Sequence, residues 1–184
     1  MKFKKVVSIC KARKQMVLYD GEGVQWLSDR VGAYPLFEMP SFTEVSLQRI
    51  CDIGDKQWES IYFDEAEMPE GFNFGDYDEC ESRCKEGSMA IAYRGRMITP
   101  VHTEEGILFI DGKYLEPFSD TPERELYLRE TGSGVKYFAV KLGLLIYGVI
   151  MPYKDINEEF TKSLGKVYEN CRVAAANEQG QAVL

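Results

Sequence analysis

GSMAIAYRGRMITPVHTEEGILFIDGKYLEPFSDTPERELYLRETGSGVKYFAVKLGLLIYGVIMPY, residues 87–153, decides the fold class. Apolar and polar residues alternate along it. Turn signals fall at short spacing: Arg94-Gly95, Glu104-Glu105-Gly106, Asp111-Gly112, Thr131-Gly132-Ser133-Gly134 and Lys141-Leu142-Gly143. Short turns join antiparallel neighbours, whereas parallel strands need long crossovers. The stretch therefore predicts an antiparallel meander.

Towards the N-terminus, Val6–Cys10 and Met16–Tyr19 read as further strands. Asp20–Gly23 turns the chain into Val24–Leu27, and Val31–Leu36 reads as a fourth strand. Pro35 and Pro40 mark the exit from the sheet, because proline cannot donate to an interior ladder. Ser41 and Glu44 have the spacing of a capping box for a short helix carrying Val45, Leu47, Ile50 and Cys51. Gly54 is its expected stop, Asp55 the cap of a second turn with Trp58 and Ile61, and Tyr62-Phe63 a brief strand.

Towards the C-terminus, Asp155-x-x-Glu158 is a capping pattern. Ile156, Phe160, Leu164, Val167, Cys171 and Ala174 follow at spacings of three and four, which is one helical stripe. Glu158 and Lys162 add an i,i+4 pair. The expected fold is α+β: mainly an antiparallel β meander, as two packed sheets or a split barrel, with a long C-terminal amphipathic helix and a short helical insert near 42–61. One domain is expected over 1–176 and a flexible tail over 177–184. A two-lobed arrangement joined through 64–86 is the alternative.

The formal charge of −8 is unevenly distributed. Residues 41–86 hold 13 acidic and 4 basic side chains, whereas residues 1–40 hold 7 basic and 4 acidic. Residues 64–86, with Pro69, Gly71 and Gly75 as breakers, read as a long acidic loop. An acidic surface repels phosphate, so direct nucleic-acid binding is not expected. The longest uncharged apolar stretch, Leu142–Tyr153, is interrupted by Gly143, Gly148 and Pro152 and falls short of the roughly 20 residues of a spanning helix. No secretory leader is visible in Met1–Lys5 and the residues after it. The five cysteines, Cys10, Cys51, Cys80, Cys84 and Cys171, have no framework spacing and read as reduced thiols of a cytoplasmic protein.

Catalytic signatures are not found. Gly21-x-Gly23 and Gly132-x-Gly134 lack the third glycine of a dinucleotide loop, and Gly165-Lys166 lacks the rest of a P-loop. His102 is the single histidine. Its place in Pro100–Glu105 makes it a polar residue at a hairpin rather than a catalytic base. Cys80-x-x-x-Cys84 supplies at most half of a zinc site. Asp76-Tyr77-Asp78-Glu79 fails the EF-hand pattern, because Glu81 and Gly87 stand where glycine and glutamate are needed. Lys2, Lys4, Lys5, Lys11, Arg13 and Lys14 read as charges protecting exposed strands. No metal, cofactor or catalytic residue is expected.

The leading functional expectation is a non-catalytic binding or assembly protein acting through protein–protein contacts or self-association, away from membranes. Asp76, Asp78, Glu79 and Glu81 are its candidate partner-binding residues. The alternatives are a small enzyme or ligand-binding protein with a pocket between sheet and helix, and an acidic inhibitor that mimics nucleic acid.

Overall fold

The computed structural model describes residues 1–21, 23–156 and 158–181. Helix α1 (Phe3–Arg13) leads into strands β1 (Gln15–Asp20), β2 (Gln25–Ser28) and β3 (Gly32–Pro35). Two short helices follow, α2 (Glu44–Ile50) and α3 (Asp55–Trp58), then β4 (Tyr62–Glu67) and β5 (Ser82–Glu86). The meander comprises β6 (Ile91–Tyr93), β7 (Arg96–Thr103), β8 (Gly106–Asp111), a 3-10 helix (Gly112–Phe118), β9 (Glu125–Glu130), β10 (Lys136–Leu142) and β11 (Leu145–Ile150). Helix α4 (Glu158–Gln181) comes last. The chain divides into two compact units, Met1–Pro152 and Tyr153–Leu184.

The first unit is α+β and built on one large sheet, in the order β4-β1-β2-β3-β11-β10-β9-β5-β7-β6, with β8 on the outer side of β7. All pairings are antiparallel except β1 with β4. Strand β5 joins two regions, because Ser82–Cys84 pair with β9 while Lys85 and Glu86 pair with β7. The strands do not close into a barrel: β4 ends the sheet on one side, and β6 and β8 flank β7 on the other.

Both faces of the central strands are covered. On one face Met16, Leu18, Leu27, Phe138, Val140 and Ile150 pack with Val6, Val7, Ile9 and Cys10 of α1 and with Tyr114, Leu115 and Phe118 of the 3-10 helix. On the other, Val17, Tyr19, Trp26, Tyr137, Ala139, Ile146 and Val149 pack beneath Met68, Phe72 and Phe74. Burial on both faces accounts for the near-continuous apolar runs of β10 and β11.

The structure corrects several expectations. Val6–Cys10 is helical, not a strand. Its buried residues are spaced i, i+1, i+3, i+4, which is one helical face, and burial of that face outweighs the strand preference of Val and Ile. Lys14 ends the helix in a left-handed conformation (φ 53°), its N–H bonding to Cys10 and Lys11 carbonyls. The basic residues of 1–14 therefore sit on and beside a helix. The capping box is Thr43 with Ser46, two residues after the expected pair. Gly54 does not stop α2, which ends at Cys51; it opens α3 instead.

The segment 64–86 is loop only between β4 and β5, over 68–81. The C-terminal helix, α4, runs over 24 residues, and within the first unit it is α1 that packs on the sheet. Among the described stripe residues of α4, Phe160 and Leu164 are half-buried, while Val167 and Cys171 are exposed. The expected pairing of Asp155 with Glu158, the Glu158–Lys162 pair and Ala174 rest on side chains outside the described residues, and of the expected tail 182–184 lie outside as well. Among the described residues no helix is long and apolar enough to cross a membrane.

Candidate ligand cleft

The acidic segment does not project into solvent. It lies across the second face of the sheet, and an ion cluster holds it there. Arg129 on β9 has a fully buried side chain, and Lys141 on β10 is 6% exposed. Both reach Glu81, whose side chain is 12% exposed. Arg129 donates from Nε (2.8 Å) and Nη2 (2.5 Å) to Glu81 Oε2, and Lys141 Nζ donates to Oε1 (2.7 Å). Arg129 Nη1 also donates to the carbonyls of Asn73 (2.9 Å) and Gly75 (2.8 Å). One guanidinium thus clamps three points of the loop, which its forked donors permit and a lysine ammonium does not. Lys141 Nζ also lies 4.9 Å from the centre of the Tyr127 ring, a cation–π contact.

The loop continues the attachment on its own side. Asn73 N–H donates to Tyr137 Oη (2.9 Å). Burial raises the Tyr137 hydroxyl above its ordinary pKa, against the opposing pull of that Asn73 bond. Phe72 rests on Tyr137 with centroids 5.0 Å apart, and Phe74 meets Trp26 edge-on at 5.0 Å. Asp76 Oδ1 accepts from the Ile146 N–H (2.8 Å), which ties the loop to β11.

Pinning the loop creates a cleft of about 800 Å3 between it, the β1–β2 turn, the segment after β3 and the start of β11. Its walls are mainly aromatic and aliphatic: Trp26, Phe37, Phe72, Phe74, Ile146 and Tyr147. Two carboxylates line it, Glu38 and Asp76, and both side chains belong to exposed residues. Glu38 holds a left-handed backbone (φ 60°), which costs an L-residue about 1–2 kcal/mol. A second hollow of about 420 Å3 shares Gly21, Val24, Phe37 and Glu38 with the first.

The four acidic residues expected to bind a partner divide in two. Asp76 borders the cleft and Glu79 is exposed. Asp78 turns inward, accepting from Asn73 Nδ2 (3.0 Å) and from the Cys80 N–H (2.9 Å). Glu81 is the anchor described above. The aromatic residues of the cleft and Glu38 were missed as a site from sequence. Phe72 and Phe74, two phenylalanines in a loop rich in carboxylates, are the signal that could have found them.

His102 is exposed on β7, in register with Lys85 and Ile107. Cys80 is exposed, and Cys84 is half-buried with its thiol donating to the Ser82 carbonyl. No cluster of three or more His, Cys, Asp or Glu side chains with metal-binding geometry occurs among the described residues. Of the basic residues near the N-terminus, Lys2 pairs with Asp120, Lys5 with Glu116 and Arg13 with Asp29.

Asp29 forms a second buried polar centre. Its Oδ1 accepts from the Val31 and Gly32 N–H groups (3.0 and 2.9 Å), and Oδ2 accepts from Tyr114 Oη (2.8 Å). Tyr34 Oη in turn donates to the Tyr114 carbonyl (2.9 Å). Burial, then the charge of Asp29, pushes the Tyr114 phenol far above its ordinary range. With its oxygens taken by turn amides and a phenol, this carboxylate fixes the β2–β3 connection. A Cβ on Gly32 would stand 2.8 Å from both Tyr114 Cδ1 and Tyr34 Oη.

No known protein family, curated protein or solved structure matches this chain.

Proposed function

We propose that the protein is a non-catalytic binding protein whose cleft takes a segment of a partner protein bearing an apolar side chain beside a basic one. The observation that carries this reading is the aromatic cleft bordered by Glu38 and Asp76, formed by a loop that a buried ion cluster holds in place. Its volume and apolar lining with a few polar groups are those of ligand sites in general. Aromatic walls supply contact area, and the two carboxylates select for positive charge. The left-handed backbone of Glu38 is a local cost at the cleft itself, as found where function sets conformation. The same carboxylates work against nucleic acid and acidic peptides.

Titration with synthetic peptides that combine Trp, Phe or Leu with Lys or Arg tests the reading. The chain has two tryptophans, so a Trp58→Phe variant isolates the signal of Trp26 in the cleft wall. Saturable change in Trp26 emission is expected, weakening as salt is raised and weakening again in Glu38→Gln and Asp76→Asn. Acidic peptides of the same apolar content serve as the control. Equal response to acidic and basic peptides, or no response to either, removes the proposal.

A further inference from the structure

Strand β8 is the outer strand beside β7, and its central residues Ile107-Leu108-Phe109-Ile110 carry no charge. The opposite edge of the sheet, β4, carries Asp64, Glu65 and Glu67, the charges that normally discourage strand addition. The β6–β7 hairpin fixes which groups of β8 face outward. Arg94 and Gly95 both have positive φ, so they form a two-residue turn with Tyr93 and Arg96 as its hydrogen-bonded pair. Even-numbered residues of β7 therefore direct their backbone groups towards β6 and β5, as the Gly87 N–H to Pro100 O bond confirms (2.7 Å). Odd-numbered ones face β8. Across the register Thr99↔Ile110, Val101↔Leu108, Thr103↔Gly106, the partners within β8 are the even residues. The N–H and C=O groups of Ile107 and Phe109 thus point away from β7. Among the described residues no strand other than β7 pairs with β8.

We infer that this edge pairs with the β8 edge of a second copy, antiparallel about a two-fold axis at Leu108. In that register Ile107 stands opposite Phe109 of the other copy and the reverse, so all four outward backbone groups on each strand find partners. The pairing is self-complementary, as a two-fold interface must be. Side chains of such opposed residues share a face. Ile107, 52% exposed, and Phe109, half-buried, would then cover each other across the seam, on the face opposite buried Val101 and Ile110. At the ends of the seam this register puts Glu105 of one copy opposite Asp111 of the other, a like-charge pair that the cations beside Asp111 offset. The same register sets the Glu104-Glu105 tip of one copy beside the Asp111–Lys113 end of the other. There Arg96 (2.8 Å) and Lys113 (3.8 Å) flank Asp111. Glu105 is bonded to Lys136 within its own copy, which leaves Glu104 as the main contributor.

Sedimentation velocity of the full chain under reducing conditions tests the pairing across a concentration series, so that exposed Cys80 and Cys171 do not cross-link copies. A reversible monomer–dimer equilibrium is expected. Ile107→Pro removes an outward N–H and no bond to β7, so it should give a monomer with an unchanged circular dichroism spectrum. Ile107→Lys, a milder change at the same place, should weaken dimerisation at least tenfold and keeps the test valid if the proline variant fails to fold. Deuterium exchange should show the Ile107 and Phe109 amides gaining protection with concentration. A wild type that stays monomeric overturns the proposal. So does a dimer untouched by Ile107→Lys, or an edge protected only when a different protein is added. None of these outcomes depends on the cleft, which lies elsewhere on the sheet.

Discussion

Replacing Glu81 with Gln should destabilise the protein more than any other single neutralisation in the acidic segment. Glu81 is the carboxylate that both Arg129 and Lys141 contact, at 2.5–2.8 Å, and those cations are 0% and 6% exposed. Breaking a buried pair by removing one partner costs about 3–5 kcal/mol, because the remaining charge is left unpaired in a poorly solvated site. Glutamine keeps one oxygen for Arg129 but turns an amide N–H2 towards a cation, so the loss should lie within that range. The consequence is specific. With the clamp broken, residues 68–81 lift first, exposing Phe72, Phe74 and Tyr137. Urea unfolding followed by tryptophan fluorescence gives the global cost. Deuterium exchange of the Asn73 amide, which donates to Tyr137 Oη, reports the local opening. Glu79→Gln is the matched control: its residue is exposed, and such changes usually stay within about 0.5 kcal/mol. A double-mutant cycle with Lys141→Met should show strong coupling, since the second change removes one of the stranded cations. If Glu81→Gln is no more costly than Glu79→Gln, and Asn73 exchange is unaltered, the ion cluster does not hold the loop.

Stability should fall at alkaline pH. Burial raises the Cys51 thiol to about 11 and raises the Cys10 thiol and the Tyr114 phenol well above their ordinary values, so the folded chain keeps protons that the unfolded chain releases. This contribution is whole below about pH 9 and is lost as pH rises towards 11. Urea midpoints across that range should show the slope, and Cys51→Ala should reduce it. Maleimide labelling of the native protein should mark exposed Cys80 and Cys171 ahead of Cys51, with buried Cys10 reacting only on unfolding; early labelling of Cys10 in intact protein would contradict the packing of α1. Phe138→Ala, in the fully buried core, should cost about 3–5 kcal/mol in chemical denaturation; a midpoint within error of wild type would contradict the packing of α1 on the sheet.

The meander was legible because its turns carry their own chemistry. Arg94-Gly95, Glu104–Gly106, the stretch after Thr131 and Gly143 all lie between paired strands. Asp111-Gly112 was the exception. The same residues begin a 3-10 helix, with Asp111 Oδ1 accepting from the Lys113 N–H, so an Asp-Gly pair marks a change of direction without choosing the element that follows. Strand content in β1 to β3 was also readable, apart from α1. There, Val6-Val7-Ser8-Ile9-Cys10 satisfies a short strand as well as one helical face, and only the sheet beneath it decides between them.

The site was legible only in its charge. Counting carboxylates drew attention to the acidic segment but assigned it to solvent, because the cations that attract it are far off in sequence: Arg129 lies 48 residues from Glu81, and Lys141 60 residues. Both sit in strands that also carry other charged residues, Glu125 and Glu130 on β9 and Lys136 on β10, so that a further basic residue passes for an outward-facing position. The pairing of β9 with β10 sets Tyr127 opposite Ala139 and Arg129 opposite Tyr137, so that Arg129 and the Tyr137 hydroxyl reach the loop from adjacent strands. A buried cation in a two-sided sheet needs an anion delivered from elsewhere in the chain. The acidic segment supplies that anion, and in doing so carries Phe72 and Phe74 onto Tyr137 and Trp26. The loop's charge and its two phenylalanines are therefore parts of one device. The charge positions the aromatics, and the aromatics form the wall of the cleft. Glu38 and Asp76 remain at its border as the acidic groups a basic segment would meet.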